Sequence, residues 1–134
     1  MKEAVAMFSQ SIPGKFDSQK RTSGYVYPLP ARLRRGMEKI TGINLEQVRV
    51  FYHSDKPSQL QAHAYAQGWN IYLAPGQEHH LPHELGHIIQ QAKGMVQPTM
   101  QVNGVAVNDD PALEAHATWL GEQAVRAGYG GPSA

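Results

Sequence analysis

The chain is 134 residues long, 41% hydrophobic, free of cysteine and of formal net charge +1, a composition that suits one globular domain with a buried core. No apolar run approaches the roughly 18 residues that a membrane-spanning helix requires, and the missing cysteines exclude disulfide frameworks and thiolate metal sites, leaving His and carboxylate as metal donors. Residues 1–43 hold eight Lys or Arg against three acidic residues, but Lys20-Arg21 and Arg32, Arg34 and Arg35 read as linker and helix-face charges without interleaved aromatics, so no nucleic-acid partner is expected.

In chain order, residues 1–28 carry Ser, Gly, Pro and Lys without sustained periodicity and read as a flexible or wrapping arm. The beginning of that arm has no long apolar stretch of the secretory-signal kind. Leu33, Met37 and Ile40 fall at helical spacing and predict a helix over 30–40 that stops at Gly42. Val48 to Tyr52 is β-branched and aromatic and predicts a strand, Ser58 to Tyr65 a short helix, and Asn70 to Leu73 a second strand. Pro82 suits the first turn of a helix in which Leu85, Ile88, Ile89 and Ala92 form a core-facing stripe, with Gly94 as the stop. Asn103-Gly104 between two short apolar runs predicts a hairpin over 101–107. Asn108-Asp109-Asp110-Pro111 reads as a cap followed by Pro at the first helical position, and Leu113, Ala117, Leu120 and Ala124 continue that helix. Gly128 to Ala134 resembles a linker. The expected organisation is an arm over 1–28, one domain over 29–127 and a tail over 128–134.

His83-Glu84-Leu85-Gly86-His87 carries the chemistry. On a helix His83 and His87 stand four residues apart, so both rings project from one face and can close on the same metal ion. Glu84 lies beside them, where its carboxylate can take a proton from water at that metal. Gly86 costs roughly 1 kcal/mol relative to Ala in mid-helix, which points to another backbone or a substrate passing close to the metal face. The bland alternative is a buried His pair with a solvated Glu.

A catalytic zinc site needs a third protein ligand and one open position. Glu114 is the candidate, because it borders the apolar stripe of the second helix, an expensive place for a carboxylate without a partner. Thr118 and Gly121 share its face and are small enough to admit the first helix. The alternative is a surface carboxylate at the positive end of a helix. His116 stands two positions from Glu114, on roughly the opposite face; His79 and His80 precede the first helix; His53 and His63 read as strand-end and helix residues.

The run from Leu29-Pro30 through Arg49-Val50, then Ala62-His63-Ala64-Tyr65 and Asn70-Ile71-Tyr72-Leu73-Ala74-Pro75-Gly76, followed by Leu81 to Gln91 and Leu113-Glu114, resembles the core domain associated with extracellular contractile injection systems. The resemblance spans Leu29 to Ala124 and is most specific from His83 to Gln91. It implies an α+β fold of the minimal zincin-like, gluzincin kind, a short twisted sheet packed on the HExxH helix with a second helix bearing the third ligand. It also implies His83, His87 and Glu114 as ligands of Zn2+ and Glu84 as general base. The setting it implies is a bacterial toxin or effector, made in the cytoplasm without a signal peptide and then exported or injected. Two positions depart from the family pattern: it commonly has an acidic residue where this chain has Thr118, and often another at His116, so the groups that orient Glu114 are open.

The expected function is zinc-dependent endopeptidase, with a protein or peptide as substrate, and Asn70 to Leu73 as a strand on which substrate can pair. No residue is assigned as oxyanion stabiliser; Tyr65, Tyr72, His80 and Tyr129 are candidates set against core or surface roles. Two other functions stand beside it: a non-catalytic, zinc-stabilised targeting or scaffold module of an injection-system effector, and an autoprocessing module that cleaves its own flanking polypeptide.

Overall fold

The computed structural model describes residues 4–6 and 24–130. Their architecture is α+β: a single seven-stranded sheet with its three longer helices on one side. The strands are β1 (Ala4–Ala6), β2 (Tyr25–Pro28), β3 (Arg49–Tyr52), β4 (Ala64–Gln67), β5 (Asn70–Leu73), β6 (Met100–Val102) and β7 (Val105–Asn108). Their spatial order is β2-β3-β5-β4-β1-β7-β6. β3 with β5 and β1 with β4 are parallel pairs; the remaining neighbours are antiparallel.

Strand alternation divides the core. Val50, Ala64, Ala66, Ile71 and Leu73 face the helices and pack with Leu33, Met37, Leu85, Ile88, Ile89, Leu120 and Ala124, because successive side chains leave opposite faces of a sheet. The intervening residues turn the other way: Tyr65 and Tyr72 stack at 4.8 Å between ring centroids, Phe51 and Tyr72 at 4.7 Å. Burial raises the pKa of both Tyr65 and Tyr72.

The helices are α1 (Ala31–Thr41), the single turn α2 (Lys56–Gln59), α3 (Leu81–Ala92) and α4 (Pro111–Val125), the last continued by a π-helical turn over Arg126–Gly130. α1 closes on Gly42, whose φ of 74° lets its N–H reach the Glu38 carbonyl. α4 begins as the sequence predicts, with the Asp110 side chain accepting from Ala112 N and Pro111 at the first position. The hairpin turn also forms, with Asn103 and Gly104 both at positive φ, the conformation a tight two-residue hairpin demands.

Four expectations are corrected. Within the supposed arm, Ala4–Ala6 and Tyr25–Pro28 are strands of the sheet; the rest of 1–28, and 131–134 of the tail, lie outside the described residues. The helix expected over 58–65 stops after one turn, since Gln61 takes φ 59° and residues 64–67 pair with β5. Ala92 is exposed and does not complete the core stripe. Asn70 to Leu73 is hydrogen-bonded on both sides, to β3 and to β4, so it has no edge to offer a substrate strand.

Candidate metal centre

α3 and α4 approach until their backbones touch. A Cβ built on Gly86 would lie 2.6 Å from the Ala117 carbonyl oxygen, and one on Gly121 would lie 2.6 Å from that of Pro82. Two glycines, one on each helix, therefore permit a spacing that no side chain would allow, and Gly86 is accounted for by a passing backbone.

This spacing brings His83, His87 and Glu114 together: one ligand atom from each falls within 4.8 Å of the others. Glu114 Oε1 is 2.8 Å from His83 Nε2 and 3.3 Å from His87 Nε2. His87 is wholly buried, and so is Glu84 beside the pair. Among the described residues this is the one group of His and carboxylate side chains with metal-binding spacing.

The outer contacts decide which nitrogens face inward. Gln90, also fully buried, donates its Nε2 amide to the Leu113 carbonyl at 2.9 Å, which fixes the amide so that Oε1 faces His87 Nδ1, 2.9 Å away. An amide oxygen only accepts, so Nδ1 carries the proton and the neutral ring presents the lone pair of Nε2 to Glu114. The second Gln90 amide hydrogen points to His116 Nδ1, 2.9 Å away. On the other ring, Thr118 Oγ1 lies 2.9 Å from His83 Nδ1. Thr118 thus serves His83 and not Glu114.

A lone pair aimed at a carboxylate oxygen 3.3 Å away is repulsive unless a cation lies between them. Glu114 Oε2, moreover, is buried with no hydrogen-bond partner, which a carboxylate tolerates only at a cost. Two imidazoles and one carboxylate are also a donor set that suits zinc. On these observations the residues fit a divalent metal of that kind. With no cation between them, the rings can serve Glu114 only by carrying a proton on Nε2 as well: burial pushes the Glu114 carboxyl up, yet hydrogen bonds and charge from protonated His83 and His87 together outweigh it and hold the pKa at about 2.

The remaining candidates stand apart from this group. His116 reaches it only through Gln90. His79 and His80 lie with ring centroids 4.2 Å apart, and His63 is 5.8 Å from His80; His53 stacks on Tyr25. Tyr65 and Tyr72 are core residues on the far side of the sheet, and Tyr129 lies under the Arg32 guanidinium. Gln90 was missed in the sequence, although its place three residues after His87 on the same helix face was a signal for it.

In comparison with known proteins, a model described as the eCIS core domain matches residues 28–95, a span that contains His83, Glu84 and His87 and ends before Glu114. No curated protein and no solved structure matches the chain.

Proposed function

The chain belongs to the eCIS core domain family, and from that premise we propose that it is a zinc-dependent endopeptidase domain of the zincin type, carried by an effector or toxin of a contractile injection system. The observation that carries the reading is the convergence of His83, His87 and Glu114 from two helices, with Glu84 buried next to them. A zinc ion held by the three would polarise a scissile carbonyl and make water a nucleophile near neutral pH.

The protein's own part is then orientation and proton transfer. Gln90 and Thr118 hold the two rings by their Nδ1 atoms, leaving each Nε2 directed at Glu114. Glu84, on the same turn as His83, accepts the proton of the attacking water and returns it to the leaving amine. A structural site would have no use for such a base.

Glu84→Gln keeps size and shape while removing the base. The expected result is unchanged zinc content by elemental analysis and no cleavage of unfolded casein-like substrate or of the chain's native flanks. If wild type and Glu84→Gln behave alike in both assays with zinc fully loaded, the domain is a zinc-stabilised scaffold. Cleavage confined to the flanks and independent of protein concentration would identify self-processing.

A further inference from the structure

β1 is three residues long and joins the sheet from a distance. Val5 pairs with Ala66 on β4, in parallel, and with Asn108 on β7, antiparallel. Its sequence, Ala4-Val5-Ala6, offers only small side chains, so the pairing is main-chain recognition with little sequence content. Without it, β4 keeps only β5 and β7 keeps only β6. The facing edges would then stand about 10 Å apart, two strand spacings, a slot as wide as one extended chain.

Both walls of that slot lead to the metal-binding group. β4 is fastened to α3 by Gln91, whose Nε2 donates to the Ala66 carbonyl at 3.0 Å and whose Oε1 accepts from Gly68 N at 2.9 Å. β7 runs through Asp109 and Asp110 directly into α4, which begins three residues before Glu114. One wall is thus tied to the helix bearing His83 and His87, the other to the helix bearing Glu114.

We propose that the slot between β4 and β7 is a polypeptide-binding groove, and that Ala4–Ala6 is its intramolecular occupant. The ligand class is an extended polypeptide segment with small side chains, bound through its backbone to both walls. As the substrate groove of the site, the slot rests on the peptidase reading above; as a groove, it does not. Because β1 belongs to the same chain as the slot, its pairing is intramolecular, and a competing segment binds well only after β1 is released.

The test uses the full chain with Val5→Pro, since Pro is not tolerated in the middle of a paired strand. The probe is a fluorescent synthetic peptide with the sequence of residues 3–8, followed by anisotropy in the presence of chelator. The Val5→Pro chain is expected to bind one equivalent at least tenfold more tightly than the wild-type chain does, and not to bind the same peptide carrying proline at its third position. Equal binding by the two chains, or binding of the proline peptide, overturns the proposal. If Val5→Pro is unfolded, recovery of its circular dichroism on adding the peptide supports the groove, and failure to recover assigns β1 to the permanent sheet and overturns it. Binding without any cleavage at full zinc loading would leave the groove standing and remove the peptidase; cleavage unaffected by excess peptide would do the reverse.

Discussion

Gly86 of α3 and Ala117 of α4 meet backbone to backbone, with room between the helices for a hydrogen atom but not for a methyl group. Gly86→Ala would gain up to about 1 kcal/mol of helix propensity, but it would also push a carbon against a carbonyl that belongs to a second helix, at a cost of about 1–3 kcal/mol. The overpacking term prevails, because both partners are main chain and neither can rotate away. The variant is expected to unfold at lower urea and to bind zinc less well, since separating the helices separates Glu114 from the two histidines. Unchanged stability and metal affinity would show that the spacing is not what sets the site.

Gln90→Leu removes the acceptor that keeps the proton on His87 Nδ1. Zinc affinity, measured by chelator competition, is expected to fall 10- to 100-fold. In the metal-free protein, long-range proton–nitrogen correlation spectra should show His87 as the Nδ1–H tautomer in wild type and as a mixture in the variant. A pure Nδ1–H signal in both would mean that something other than Gln90 sets the ring.

Thr118 contacts His83 Nδ1 through its hydroxyl at 2.9 Å, so its substitution should act on that ring. Thr118→Val, nearly the same shape without the hydroxyl, is expected to weaken zinc binding about tenfold, and Thr118→Asp, which places a carboxylate against the Nδ1–H, to strengthen it. Identical affinities in all three proteins would remove Thr118 from the site.

Against protonated His83 and His87 the Glu114 carboxyl sits at about 2, below an ordinary value of 4.5, so while the rings stay protonated their pairing contributes stability that is present above pH 4.5 and is lost as pH falls toward 2. Urea midpoints measured in chelator from pH 5.5 down to 2.5 should therefore drop more steeply for wild type than for Glu114→Gln. Parallel curves would show that the carboxylate gains nothing from the rings.

What could be read from the sequence was local. The spacing of His83 and His87, the Asp110-Pro111 helix start and the Asn103-Gly104 turn each specify geometry within a few residues, and each forms as expected. Glu114 was legible because a carboxylate beside an apolar stripe needs a reason to be there. The missed features depend on partners distant in sequence. Ala4-Val5-Ala6 has no alternation to mark it as a strand, and only β4 and β7 make it one. Ser58 to Tyr65 looked helical because nothing nearby announces that Gln61 turns left-handed or that Ala64 and Ala66 face the helices across a sheet. Asn70 to Leu73 was correctly a strand but wrongly an edge, since its neighbours β3 and β4 arrive from separate stretches of chain.

The position of β1 also orders events in time. Its partners Ala66 and Asn108 lie far along the chain from Val5, and contacts of such long sequence separation form late. The helices and the β3-β5-β4 sheet can collapse around their own apolar residues beforehand. Insertion of β1 is then the expected last phase of refolding, slower than helix formation, and a chain halted before it would carry two open strand edges, the state in which such a domain is most exposed to pairing with its neighbours.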